Sequence, residues 1–223
     1  FASNGDVSFK VNNANFNKDT IAAGKAIHLE TNALVANNVQ IAAKENVQID
    51  SGDSLLLGTE IRSEKNVKLT SQALEMQASL LAAKDAIHVK AANIKFDAVS
   101  MSAQQDVNVE TSSSGMNINN TKLMSGANLN LLAGIGGGKL WFNQVDMQAE
   151  NYLTVTGGAI DLNGRLHAIK GDLNIDGHNI VTRGVDLNAG QDIRLTGTGE
   201  LDNTRASYAA GRDIFLKAQG INN

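Results

Sequence analysis

A short phrase that recurs about every 20 residues constrains the fold of this 223-residue chain more than any other sequence feature. The phrase is a small residue, two or three polar residues and an apolar–polar–apolar triplet, as in Ala-Gly-Lys-Ala-Ile-His-Leu at 23–29. Its first apolar residue falls at Val7, Ile27, Val47, Val67, Ile87, Val107, Leu129, Leu153, Leu173, Ile193 and Ile214. Most spacings are 20 residues, and the two longest, 22 and 24, lie in the middle. A repeat of this length is typical of a solenoid or a related repeat architecture.

The triplet predicts a β-strand with one buried face. Its two apolar positions hold Val, Ile, Leu or, once, Phe in all eleven copies, and the residue between them is polar in ten, Phe215 being the exception. Two further alternating segments follow in most copies, for example 74–76 (Leu-Glu-Met) and 99–101 (Val-Ser-Met). Alternation with a period of two residues places one set of side chains on one face of a strand. Three such strands in one copy cannot bury their apolar faces alone, but stacked copies share one continuous core.

The sequence therefore predicts an all-β protein, a right-handed parallel β-helix with about eleven coils, each coil being one turn of roughly 20 residues. We expect one continuous β-helix over residues 1–223, and strands about 4.8 Å apart would make it a rod about 50 Å long. Residues 71–90 have good helix propensity, but their register with the other copies predicts strands. The chain has no proline, which agrees with strands that all donate backbone hydrogen bonds. The frames of leucine-rich repeats and of calcium-binding nonapeptide repeats are absent from the sequence.

Polar residues mark the turns of the predicted coils. In eight of the eleven copies Asp or Asn directly precedes the first strand, and we expect these side chains to bond their own backbone at a bend. Asn occurs 26 times in the chain. Stacked Asn side chains can form hydrogen-bonded ladders along such a rod.

Composition excludes several classes of function. The chain has no cysteine, so it has no disulfide framework, no iron–sulfur site and no Cys-ligated zinc. Its net charge of -4 and its 4% aromatic content argue against a nucleic-acid partner. No apolar run approaches the roughly 18 residues of a spanning helix. The start at Phe1 rather than Met suggests a fragment of a larger protein.

The recurring phrase Ala-Ala-Gly-Lys/Arg-Asp/Ala-Ile-x-Leu resembles the haemagglutinin repeats of large bacterial two-partner-secretion exoproteins, a group that includes filamentous haemagglutinins and contact-dependent inhibition effectors. The resemblance covers essentially the whole chain and is clearest at 22–110 and 188–218. It implies a β-helical shaft exported through an outer-membrane secretion partner and displayed on a Gram-negative surface. Such a shaft projects an adhesive or receptor-binding region, or a toxin, toward other cells. No signature of the amino-terminal secretion domain or of a carboxy-terminal toxin is present.

The main irregularity of the repeat predicts a candidate contact site. Turns at 111–115 and 133–139 lengthen two successive copies at the same position by two and four residues, so we expect them to emerge side by side. The alternation places Leu140 and Phe142 inward and Trp141 outward, beside this Gly-rich turn. The residues predicted to contact a receptor or glycan are Trp141, Lys139, Ser113 and Ser114. An outward Trp141 is also compatible with a surface aromatic residue that has no binding role. A shift of register by one residue would instead place Trp141 in the core.

Other candidate sites have simpler explanations. The four histidines follow no ligand pattern, and we expect solvated side chains at His28, His88, His167 and His178. A column of Asp172, Asp192 and Asp213 could collect Ca²⁺, or it could be one turn residue repeated with its turn. The segment 134–138 with Lys139 lacks the Gly-Lys-Ser/Thr ending of a phosphate loop. We predict no metal, no cofactor and no catalytic site.

Three classes of function follow. The first is a non-enzymatic structural or adhesive shaft segment, and the second is a receptor- or glycan-binding module that uses the 111–147 loops. The third, a polysaccharide-degrading β-helical enzyme, would need clustered ionisable side chains in a groove. Its candidate residues show no decisive grouping in the sequence: Asp161, Asp202, Arg165, Arg183 and Arg205. We also expect the chain to associate end to end, because neither end offers a polar cap.

Overall fold

The computed structural model describes residues 1–134 and 138–223, except for the side chain of Ser114. In this part of the chain the strands form one parallel sheet, wound into a β-solenoid of about eleven turns with roughly 20 residues per turn. The predicted fold class is therefore confirmed. Residues 71–90, with their helix-favouring composition, form parts of three strands, as their register predicts.

Long and short strands alternate in the earlier coils. The strands are β1 Ala2–Ser3, β2 Val7–Asn17, β3 Thr20–Ala23, β4 Ile27–Asn37, β5 Gln40–Ala43, β6 Val47–Leu57, β7 Glu60–Ser63, β8 Val67–Gln77, β9 Leu80–Ala83, β10 Ile87–Asp97, β11 Ser100–Ala103, β12 Val107–Asn119 and β13 Lys122–Ser125. The first two alternating segments of each copy, predicted as separate strands, are one continuous strand here. The backbone therefore keeps its pairing through the position between these segments.

The later coils are less regular, and only from β18 onward are all of their strands short. The strands of these coils are β14 Leu129–Ala133, β15 Lys139–Ala149, β16 Leu153–Thr156, β17 Ala159–Ala168, β18 Leu173–Gly177, β19 Asn179–Val181, β20 Asp186–Ala189, β21 Ile193–Gly197, β22 Glu200–Asp202, β23 Ser207–Ala210, β24 Ile214–Lys217 and β25 Gly220–Asn222. The coils that begin with β18 and β21 have three strands each, as the alternating segments predict, whereas those that begin with β14 and β16 have two.

Equivalent residues of successive copies lie directly above one another. Val47 pairs with Val67, and Val67 pairs with Ile87, with no shift of register. All three side chains are completely buried. The largest buried side chains include Phe96 and Phe142, which are both neighbours of Ile118 in one inward column. The core is therefore a continuous apolar column, and each coil packs on the coils before and after it.

One corner of the coil is left-handed in successive turns. Positive φ angles recur at equivalent positions, before the short strand at Lys18, Asn38, Gly58, Ala78, Ala98 and Asn120 and within β15 at Gln144. Most of these residues have a side chain, although L-residues other than Asn rarely adopt this conformation. Buried hydroxyl groups hold the corner: Ser79 Oγ accepts from the Thr59 N–H and donates its single hydrogen to the carbonyl of Gln77, 2.8 Å away, with the carbonyl of Leu56 as the alternative acceptor at 3.1 Å.

The Asp and Asn side chains that precede the first strand do not bond their own backbone, so that prediction is wrong. Asp6 Oδ1 accepts a hydrogen bond from the N–H of Ala26, 3.0 Å away, and Asn66 Oδ1 accepts from the N–H of Ala86, 3.1 Å away. Each of these side chains therefore joins its coil to the following one. Asn ladders also form, as expected: Asn143 donates to Asn119 over 2.8 Å.

Candidate functional site

A groove runs along the outer face of the solenoid across six successive coils. It encloses about 970 Å³ and is lined by residues 33–35, 53–55, 73–75, 93–95, 115–117, 139 and 141. These residues are equivalent positions of the long strands β4, β6, β8, β10, β12 and β15. At a strand spacing of about 4.8 Å, the groove is about 24 Å long. It therefore follows the axis of the solenoid and crosses the strands.

Trp141 and Lys139 lie side by side at one end of this groove. They occupy the outer face of β15, where Leu140 and Phe142 point inward and are 0% and 1% exposed. The Trp141 side chain is 36% exposed, so the alternative in which Trp141 belongs to the core is wrong. Lys139 is exposed and forms no ion pair with any residue in the described ranges.

The backbone register shows at which position two successive copies are lengthened. Ala91 pairs with Thr111 and Asn93 with Gly115, so one residue on β10 faces three on β12. Thr111 pairs with Ala133 and Gly115 with Lys139, so the three residues of β12 correspond to five sequence positions in the next copy. Both extensions directly precede the groove-lining residues of their coils.

Glycine at position 115 allows the two extended coils to lie close together. A Cβ atom there would lie 2.2 Å from the carbonyl oxygen of Lys139, which is closer than any side chain permits. Ser113 is exposed but does not line the groove. The side chain of Ser114 and residues 135–137 of the predicted turn lie outside the described residues. The structure therefore brings two of the four predicted contact residues, Lys139 and Trp141, into one groove.

The middle of the groove holds an ion pair between coils. Lys95 Nζ lies 2.7 Å from Glu75 Oε1, and this hydrogen bond raises the pKa of Lys95 above its usual value. Val35 and Leu55 line the other end, with Val35 38% exposed. Sequence reasoning did not identify these four residues. The signal was present, because they occupy one outward position of the second alternating segment in four successive copies.

The aspartate column is part of an ion-pair network. Arg194 Nη1 lies 3.0 Å from Asp172 Oδ2, and Arg212 Nε lies 3.2 Å from Asp192 Oδ1. Asp192 is 3% exposed and also accepts a hydrogen bond from the N–H of Asp213. The carboxylates therefore face arginine and backbone donors, which supports the interpretation of a repeated turn residue over a calcium site. Among the described residues, no group of three His, Asp or Glu side chains is arranged to hold a metal ion.

The ionisable residues considered for an enzyme pair across coils. Arg183 donates to Asp202 from Nε over 2.8 Å, and Arg165 donates to Asp146 rather than to Asp161. The hydrogen bond from Arg183 holds the pKa of Asp202 well below its usual range. These contacts are of the kind seen along the rest of the solenoid, for example between Lys84 and Glu64, and they assemble no acid–base pair in a cleft. Arg205 lies at another left-handed corner.

The histidines lie in outward columns. His28, Gln48, Lys68 and His88 are successive neighbours, so the two histidines are three coils apart, as predicted. His28 Nε2 lies 3.3 Å from Asp50 Oδ2. Burial raises the pKa of Asp50, but the hydrogen bonds to its carboxylate, of which the one from Gln48 has the largest effect, lower the pKa by more. The pKa of Asp50 therefore lies below its usual value.

Comparison with known proteins identifies the repeat. A family model described as hemagglutinin repeat matches residues 53–196, which is more than half of the chain. No curated protein and no solved structure matches the chain. In the described ranges, no helix has the length and apolar character needed to cross a membrane.

Proposed function

Because the chain belongs to the hemagglutinin-repeat family, we propose that it is a shaft segment of a secreted bacterial exoprotein displayed on the cell surface. The shaft projects a recognition or toxin region toward other cells. This family is structural and adhesive rather than enzymatic, and the solenoid fits an adhesin-like shaft segment. We assign it no catalytic activity and no cofactor.

The first apolar column of the repeat, which stays in register through all the copies, carries this proposal. Equivalent residues stack from Val7 and Ile27 at one end to Ile193 and Ile214 at the other. Since each coil adds about 4.8 Å along the axis, the number of copies sets the length of the shaft. A structure with this property acts as a spacer.

The route to the surface belongs to the same proposal. We infer export through an outer-membrane partner of the two-partner type and display on a Gram-negative cell, in a protein of the filamentous haemagglutinin or contact-dependent inhibition type. Membership of the repeat family supports this context.

Deletion of one whole coil tests the shaft role. Removing residues 173–192 joins Asp172 to Ile193 and keeps the repeat in phase, because Leu173 and Ile193 are paired equivalents. In the exoprotein that carries this segment, we expect surface display and target-cell activity to persist. In the isolated chain, solution scattering should show a rod shorter by about one strand spacing, about 4.8 Å.

A matched deletion of half a coil is the control. Removing residues 173–182 puts the following copies out of phase, so inward residues no longer meet their column, and we expect loss of the folded rod. If the whole-coil deletion folds and is displayed but target-cell activity disappears, the segment is more than a spacer and the shaft proposal is wrong.

A second candidate function is a binding module for a receptor or glycan that uses residues 111–147. The position of Trp141 and Lys139 in one groove favours it. Loss of cell or receptor binding in Trp141→Ala, with unchanged circular dichroism, would support this function. Unchanged binding in this variant would leave the spacer role as the only supported function.

A further inference from the structure

We propose that the groove between Val35 and Trp141 is an interface at which a second copy of this chain docks face to face, with the two solenoids antiparallel. The interface is isologous, because both copies contribute the same residues. This inference goes beyond the shaft role and does not depend on it, since a spacer needs no contact along its side. The distribution of charge and of side-chain size along the groove supports it.

The charges of the groove are separated along the solenoid axis. Asp53 and Glu75 lie in the coils toward the amino-terminal end, and Lys95 and Lys139 lie in the coils toward the carboxy-terminal end. Carboxylates and ammonium groups are equal in number, so the groove has no net charge that would select a charged ligand. A second copy that runs in the opposite direction places its basic half over the acidic half of the first copy. Both halves are then matched at once.

One twofold axis aligns the opposite charges coil by coil. In successive coils the outward column of the groove holds Val35, Leu55, Glu75, Lys95, Asn117 and Trp141. A twofold axis between the coils of Glu75 and Lys95 places each of these two side chains opposite the other in the second copy. Their ion pair within one chain, 2.7 Å long, then becomes part of a group of four alternating charges. In the adjacent column, Asp53 comes within one coil of Lys139 in the second copy.

Side-chain size is complementary in the same arrangement. Trp141 is the largest side chain of the groove, lies at one end and is 36% exposed. Small residues line the other end: Ala33, Ser54 and Ala73. Ser54 lies in the inward column between Leu34 and Leu74, so the side chain beneath the groove is shorter there than in the neighbouring coils. The twofold axis places each Trp141 over Val35 at this end, where burial of the indole favours association.

A parallel pair through the same face is unfavourable. It would place acidic half over acidic half and basic half over basic half, and like charges brought together oppose association. Backbone pairing with a partner strand is also excluded, because each groove strand is already paired on both sides, as β8 is with β6 and β10. The face is therefore suited to side-chain contacts with an antiparallel copy.

The dimensions of the groove predict a weak interface. Six coils span about 24 Å and four residues along each strand span about 13 Å, so the two copies together contribute about 600 Å². Stable complexes bury about 1,200–2,000 Å² of accessible surface, so this contact belongs to the weak, transient class. We expect a dissociation constant on the order of 100 µM, which increases as salt is raised.

Charge reversal tests the pairing of Glu75 with Lys95. All samples carry Ile221→Lys, which suppresses contacts between chain ends, and sedimentation equilibrium measures association. Glu75→Lys and Lys95→Glu each put like charges opposite one another in a pair of identical copies, so we expect each variant alone to dimerise at least about tenfold more weakly. A mixture of the two variants places opposite charges at every one of these positions and should restore the dimer.

A matched ion pair outside the groove is the control. Lys90 Nζ lies 2.9 Å from Glu110 Oε1, also between adjacent coils, and neither residue lines the groove. We expect Lys90→Glu and Glu110→Lys, alone or mixed, to associate as the parent chain does. Rescue in the groove mixture alone would then come from the position of the charges and not from their number.

Crosslinking tests the orientation, because the chain has no cysteine of its own. In the antiparallel pair Leu55 lies opposite Asn117 of the second copy, about 10 Å away, whereas the two copies of Leu55 are offset by three coils and lie about 17 Å apart. An ethylene-bridged bismaleimide should therefore link a mixture of Leu55→Cys and Asn117→Cys into heterodimers. Neither variant should be linked efficiently on its own.

Four results would overturn the proposal. These are monomers of the Ile221→Lys chain up to about 1 mM, groove variants that associate as the parent does, a groove mixture without rescue, and crosslinking of Leu55→Cys alone that equals crosslinking of the mixture. None of them bears on the shaft role, which the whole-coil deletion tests, so failure of one proposal is distinguishable from failure of the other.

Discussion

Asn46 Oδ1 accepts two hydrogen bonds from Asn66, one from the backbone N–H at 3.2 Å and one from the side-chain amide at 3.1 Å. Asn66 Oδ1 in turn accepts from the N–H of Ala86. These contacts join three coils at the turn before the first strand. The Asp and Asn column therefore works as a series of links between coils.

The side-chain oxygen of Asn66, which accepts from the Ala86 N–H, is the part of this link that we expect to stabilise the fold. Asn66→Ala leaves the Ala86 N–H without its partner, and we expect the free energy of unfolding to fall by about 1 kcal/mol. Asn66→Asp keeps the acceptor and should cost less, since Asp occupies the equivalent position at Asp172, where it accepts from the N–H of Asp192. Urea unfolding measures both changes. Equal losses in the two variants would show that the acceptor is not what stabilises the turn.

The inward column tolerates little loss of volume. Phe96 is completely buried between Met76 and Ile118 of the adjacent coils. We expect Phe96→Ala to lower the free energy of unfolding by about 3–5 kcal/mol, through lost apolar burial and the cavity that remains. Phe215→Ala makes the same change at a side chain that is 48% exposed, and it should cost much less in the same denaturation assay. Similar costs at both sites would contradict the assignment of the core.

Backbone strain at the left-handed corner can be relieved. Ala98 has a φ of 53°, where glycine has no steric cost. We expect Ala98→Gly to raise the free energy of unfolding by about 0.5–1 kcal/mol, because the relieved strain exceeds the added entropy of the unfolded chain. Ala82→Gly in β9, which lies in ordinary strand geometry, should instead lower it by about 0.5–1 kcal/mol. Thermal melts compare the two, and destabilisation by both would contradict the corner geometry.

The ion pair between Arg183 and Asp202 predicts that the thermal stability of the protein depends on pH. The hydrogen bond from Arg183, followed by those from Thr204, lowers the pKa of Asp202. A carboxyl with a depressed folded pKa stabilises the protein above its unfolded pKa, near 3.9, and loses this contribution as pH falls toward the folded pKa. The Tm of Asp202→Asn should therefore lie below that of the unmodified chain at neutral pH, and the gap should narrow below about pH 4.

Arg183→Gln should reproduce the flatter pH profile of Asp202→Asn, because it removes the largest cause of the shift. A Tm gap that stays constant down to about pH 2 would mean that Asp202 is not the titrating group.

End-to-end association of the chain is a further expectation. The strand β2 pairs with β4, and β24 pairs with β21, so the first and last coils offer unpaired strand edges in the described structure. Phe1 and Ile221 add apolar surface there, 65% and 46% exposed. We expect sedimentation velocity to show larger species as concentration rises, and Ile221→Lys to reduce them. Monomers across a wide concentration range would contradict this expectation.

Most of the fold could be predicted from the sequence, because the repeat fixes the stacking. The spacing of Val47, Val67 and Ile87 predicts the register that the structure has. Alternation around Trp141 predicts its outward orientation. Both inferences need only the period of a strand and the period of the repeat.

The remaining features depend on three-dimensional contacts that no local pattern reports. Lys18, Ala78 and Gln144 adopt the left-handed corner without being residues that favour it, so the sequence has no signal there. The direction of the turn hydrogen bonds is equally hidden, since an Asp before a strand is compatible with bonds to its own turn or to the next coil. The groove appears only when residues such as Leu55, Lys95 and Trp141 are placed on successive coils.

The hydrogen bonds between coils also determine how the solenoid responds to tension. Backbone bonds such as Val47 N–H to the carbonyl of Asn66, and side-chain links such as Asn143 to Asn119, join successive coils and lie along the axis. A pull spread over a whole coil therefore stretches the bonds of one junction together, so they must break in concert. A pull applied to one strand end breaks them in sequence, which requires less force. The same rod is thus strong when held by its neighbouring coils and weak when peeled from a free end.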